Sequence, residues 1–168
     1  MEIYEKENWI VMDGSIITSV NTDGTSGEEW TYRLEANGIE VSDNAKIILK
    51  SPNFQSTQDQ KTTIQIIKAI NFRGLLTIFN IRQKAKREYL KSLKPETACL
   101  LREMLSNSDI KNMGLERIII MHHPFKPRGL PVLLCLDSNG YARKLSAESI
   151  HTIWTKTDGF AFMVPPEV

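Results

Sequence analysis

The chain has 168 residues, with 21 Lys and Arg against 20 Asp and Glu, a formal net charge of +1 and 41% hydrophobic residues. That length fits one domain spanning 1–168, able to bury about two-thirds of its unfolded surface, so a core needs neither metal nor disulfide. The even charge excludes a histone-like or polyanion-coated protein, and the supply of Ile and Leu excludes disorder.

The start is acidic and lacks an apolar signal segment, and no stretch reaches the roughly 18 apolar residues of a spanning helix. Cys99 and Cys135 each sit inside an apolar run, as small buried hydrophobes do. These features together imply a soluble, cytoplasmic protein that does not engage a membrane.

Turn chemistry organises the first elements. Five of the nine glycines follow Asp or Asn, in dipeptides that tolerate positive φ and suit tight hairpins. Asp13-Gly14 predicts a hairpin between 9–12 and 15–20. The polar, acidic run from Asn21 to Trp30 reads as a strand-connecting loop, since no placement of its residues satisfies a calcium-binding loop. Ser42 is a fitting N-cap for a short helix over 43–50, which Pro52 stops.

The segment 58–69 fits either period but is rich in β-branched residues, which favours a strand. From Arg73 to Leu93 the apolar spacing is helical. Pro95 opens a second helix over 95–106, and Asn107 or Ser108 caps a short one ending at Gly114. Residues 118–121 and 131–136 are apolar on both faces and belong in the middle of a covered sheet. Asn139-Gly140 predicts a hairpin from 131–136 into 141–145, and Asp158-Gly159 predicts another from 151–156 into 160–164. Trp154, Phe160 and Phe162 read as core aromatics. The fold class is therefore α+β: a mostly antiparallel sheet built from hairpins, two longer central helices and one or two short ones.

Charge is uneven along the chain. Residues 1–60 hold eleven acids and four bases, whereas 61–168 hold nine acids and seventeen bases. Arg73, Arg82, Lys84, Lys86, Arg87, Lys91 and Lys94 crowd into 73–94 with Glu88 as the lone acid. Such a face grips phosphates or an acidic protein surface; it equally suits a solvated exterior, or docking against the acidic first third.

His122 and His123 follow the most apolar strand. They could serve as base or metal ligand, with Asp137 or Cys135 as helper. Consecutive strand residues point to opposite faces, however, so one could equally be a hydrogen-bonded core residue and the other exposed. Lys126 and Arg128, in the next loop, add positive charge that suits an anion. The spacing matches no zinc signature, and no phosphate-binding, nucleophile-elbow or zincin motif occurs. No cofactor or metal is implied.

Two classes of function stay open. One is a non-enzymatic binding or regulatory module meeting a protein partner or a second copy through Arg82, Lys84, Lys86, Arg87, Lys91 and Arg128, with nucleic acid as an alternative partner of the basic helix. The other is a small hydrolase or metal-dependent enzyme using His122, His123 and Asp137.

Overall fold

Asp13 and Gly14 both take positive φ, +52° and +80°, as a two-residue hairpin turn matched to strand twist requires. The turn joins β2 (Trp9–Met12) to β3 (Ser15–Asp23), with Met12 opposite Ser15. The computed structural model describes residues 3–5 and 8–167. Its remaining strands are β1 (Ile3–Glu5), β4 (Glu40–Val41), β5 (Gln58–Lys68), β6 (Arg117–Ile120), β7 (Val132–Asp137), β8 (Lys144–Ser149) and β9 (Asp158–Val164). They form one sheet in the order β1-β2-β3-β5-β9-β6-β7-β8-β4. Only β6–β9 and β4–β8 are parallel. The chain is a single α+β domain with a mostly antiparallel sheet.

The helices are α1 (Gly27–Ala36), α2 (Asp43–Lys50), α3 (Ile78–Arg87), α4 (Glu96–Met104) and α5 (Asn107–Asn112). Their placement follows from alternation in the central strands. On one sheet face Ile64, Ile66, Ile118, Ile120, Leu134, Leu136 and Ala161 pack with Trp30 and Leu34 of α1, Ile48 of α2 and Leu101 of α4. On the other face Ile67, Ile119, Leu133, Cys135, Phe160 and Phe162 pack with Ile81 and Ala85 of α3 and with Trp154. Four helices cover the first face; α3, the segment 69–76 before it and the loop carrying Trp154 cover the second.

Local chemistry explains where the expectations held. The Ser42 hydroxyl accepts from the Ala45 amide and starts α2 where expected. Strand β5 takes the β-branched segment, and both cysteines are buried. α4 begins just after Pro95. α5 is capped one residue early, at Ser106, whose hydroxyl pairs reciprocally with Asp109.

Four expectations need correction. The run 21–30 is not all loop: α1 begins at Gly27, and Ser26 with Glu29 forms a reciprocal capping box. That serine–glutamate spacing, followed by Trp30 and Leu34 one turn apart, is the helix signal there.

The helix expected over 73–93 is shortened at both ends. Thr77 caps its start, and Tyr89 at φ +61° ends it. Beyond Tyr89 the chain is extended: Lys91 exchanges two backbone hydrogen bonds with Met163, and the Leu93 amide donates to the Met121 carbonyl. Leu90 belongs to the α3-side core and Leu93 to the other, so this segment carries the chain across the sheet end.

In the third case, residues 151–156 form no strand. They fold into turns around the buried Asp158 carboxylate, which takes two hydrogen bonds from Arg117 at 2.8 and 2.9 Å and one from the Thr155 amide. Trp154 meets Phe160 edge to face, 5.6 Å between centroids. Gly159 is a strand residue rather than a turn residue. A Cβ there would meet Leu115 at 2.7 Å and Ile66 at 2.8 Å.

Finally, the partner of β7 begins at Lys144, not Tyr141. Residues 138–143 are occupied by a loop that the Asp137 carboxylate opens by accepting from the Asn139 amide.

Gly27 lies where α1 abuts the end of α2, and a methyl there would overlap the Leu49 carbonyl oxygen. Backbone cannot yield as a side chain can, so Gly27→Ala should cost at least about 2 kcal/mol. Urea unfolding measures this; an unchanged midpoint would contradict the close approach.

Candidate functional site

The basic segment resolves into spent and unspent charges. Arg82, half-buried on the inner side of α3, donates to the His122 carbonyl at 2.8 Å and reaches the Ser92 hydroxyl at 3.4 Å. Burial lowers its pKa. Lys84 pairs with Glu88 one turn on, at 3.3 Å. Lys94 donates to the Thr57 hydroxyl. Lys86, Arg87 and Lys91 are exposed and form no ion pair among the described residues.

The outward side of α3 is not purely charged. Phe79 shares it with Lys86 and Arg87 by helical spacing and is 69% exposed. Leu75 just before the helix and Tyr89 just after it are 76% and 81% exposed. Phe79 lies off the apolar stripe that steps through Ile78, Ile81 and Ala85, which turns it outward; Leu75 and Tyr89 continue that stripe in the sequence but fall outside the helix, which leaves them exposed.

The acidic first third lies elsewhere. Helices α1 and α2 pack on the opposite sheet face, and their ion pairs are local. Arg33 binds Asp23 and Glu103, and Lys46 binds Glu35 at 2.9 Å. The guanidinium of Arg33 holds the Asp23 carboxyl down at about 2. No ion pair among the described residues joins 1–60 to the bases of 73–94.

The two histidines part company at the end of β6. His122 is fully buried. Its Nε2 accepts from the Leu134 amide at 2.9 Å, so its Nδ1 carries the proton donated to the His123 carbonyl at 2.7 Å. Phe125 meets it edge-on at 5.6 Å. Burial pushes its pKa down to about 4, keeping it the neutral tautomer that these two bonds require. Both ring nitrogens are thus committed to backbone, and His122 acts as a brace for the chain leaving β6.

His123 is exposed and lines a groove of about 680 Å³ with Phe125, Lys126, Leu93 and the last turn of α2. Arg128, exposed at φ +55°, sits in the tight turn beyond, against α2 and away from α3. Asp137 is opposite Arg117, at the far end of β7 from Leu134 and therefore from His122. The structure does not bring His122, His123 and Asp137 together. Cys135 is buried on the α3 side, its thiol pKa pushed up by burial. Among the described residues no three His, Cys, Asp or Glu side chains are placed to hold a metal ion, and no helix is long and apolar enough to cross a membrane.

Comparison with protein-family models, curated proteins and solved structures yields no match.

The His122 pKa has a measurable consequence. Below the ordinary value of 6.5 the unfolded chain takes up a proton that the folded chain refuses down to about 4. The stability from neutral His122 is therefore complete above pH 6.5 and falls by about 3 kcal/mol as pH drops to 4. Unfolding free energies measured across that window should fall less steeply in His122→Asn. Equal slopes would refute the assignment.

Proposed function

We propose that the protein is a non-enzymatic binding module that meets an acidic, partly apolar surface on another protein through the outward side of α3. The observation that carries this reading is the exposure of Lys86 and Arg87 without ion-pair partners among the described residues, on the sheet face opposite the acidic helices; Lys91, directly opposite Met163, belongs to the other face. Separation of the two charges leaves each one's field outside the molecule, where it steers encounter and fixes orientation. Exposed Phe79 and Leu75 supply apolar contact area beside the bases, the mixture typical of a protein interface.

A second reading has its own support. Phe79 and Tyr89 beside unpaired bases are the elements of a platform on which single-stranded nucleic acid stacks.

Binding of two acidic peptides, one with leucines and one with serines between its glutamates, separates the readings from each other and from simple charge attraction. The leucine peptide should bind more tightly. Reversing Lys86 and Arg87 to Glu should weaken it at least about tenfold, whereas reversing exposed Lys111 and Lys156 should not. Phe79→Ser should erase the preference for leucine. Tighter retention on single-stranded DNA than on either peptide, lost in the same double variant, would replace the protein partner by nucleic acid.

A further inference from the structure

We propose that the groove at the end of β6 is a second binding site, for a small amphiphilic carboxylate whose apolar body lies against Ile47, Leu93, Pro95 and Phe125. Its charged head faces Lys94, Lys126 and His123. The floor comes from different parts of the chain, which only the fold assembles: the end of α2, the crossing segment before α4, and the chain leaving β6. At about 680 Å³ the groove has the size of small-molecule sites.

Charge decides the occupant. Three basic side chains line the groove and no acidic one does. The neighbouring carboxylate of Glu96 is buried and accepts from the Thr57 amide instead. The C-terminal end of α2 brings a partial negative charge, which Lys50 on its last turn offsets. No arginine lines the groove, so the planar two-pronged grip that favours phosphate is missing. Lysines act as point charges, which suits a single carboxylate on an apolar body.

The wall is preformed. His122 fixes the His123 carbonyl and the Leu134 amide, and Arg82 holds the His122 carbonyl from the other side. Phe125 exchanges backbone hydrogen bonds with Val132 at 3.2 and 2.8 Å. His123 and Lys126 are thereby set at the rim by a rigid frame, which lowers the cost of ordering them around a ligand.

The site is separate from the outward side of α3, so either can fail alone. Octanoate, octanol and octylammonium are titrated into the labelled protein while amide resonances are followed. Octanoate should shift amides of 47–55, 93–95 and 123–127, and should bind at least about fivefold more tightly than octanol or octylammonium. Ile47→Glu and Lys126→Glu, both at exposed positions, should each weaken octanoate at least about fivefold, while Lys86→Glu should leave it unchanged. A leucine-ended dipeptide with a free or an amidated C-terminus separates a chain end from a free acid as the source of the carboxylate. Binding that favours octylammonium, shifts scattered over the surface, or both groove variants binding as the parent does would overturn the proposal.

Discussion

Alternation of apolar side chains in β5, β9, β6 and β7 is the constraint on which the rest of this structure depends. Ile66 and Ile67, or Ile118 and Ile119, cannot both be buried unless each sheet face is covered. One face is covered by four helices. The other has the ten residues of α3, the segment 69–76 before it and a loop around Trp154. The thinner cover leaves Phe79, Leu75 and Tyr89 outside, and it seats α3 with Lys86 and Arg87 turned to solvent.

Electrostatics follows from this layering. A net charge of +1 conceals an acidic first third, and the sheet stands between the helices of that third, α1 and α2, and the basic helix. Ion pairs close locally around Arg33, Lys46 and Lys84, while the two halves do not neutralise each other through any pair among the described residues. Pairs at such exposed positions contribute little to stability. The buried pair of Arg117 and Asp158 is different: removing one partner strands the other without water, and the chain folds its turns around Asp158 accordingly.

The end of β6 shows how a residue that looks catalytic can be structural. His122 lies at a strand end, where functional groups gather, yet both ring nitrogens bind backbone and burial keeps it uncharged. What it organises is His123, Phe125 and the groove they line. Arg82 behaves in the same way, since its guanidinium caps a carbonyl instead of offering charge to a partner. Lys86 and Arg87, from the same basic cluster, keep theirs exposed. Residue type is identical in kind across this cluster; only position around the helix separates brace from surface.

Local chemistry was legible from the sequence wherever near neighbours decide the outcome. The Asp13-Gly14 turn, the Ser42 cap and the β-branched run of β5 are of this sort, and they were enough to establish an α+β fold with its short second helix in place. The burial of Cys99 and Cys135 was legible in their apolar flanks. The capping box at Ser26 is equally local, but the polar residues around it carry the pattern of a loop. Other outcomes depend on partners distant in the chain. Gly159 enters a strand because Lys68 and Ile118 pair with it on either side, with Leu115 and Ile66 leaving no room for a side chain, and Tyr89 ends a helix whose apolar period continues, because Lys91 finds Met163. The same holds for the groove, whose walls come from three separate segments, and for the separation of α1 and α2 from the basic helix by the sheet between them. Sequence periodicity states which side chains must be buried; the tertiary structure decides against what, because burial is satisfied by whichever segment closes the face.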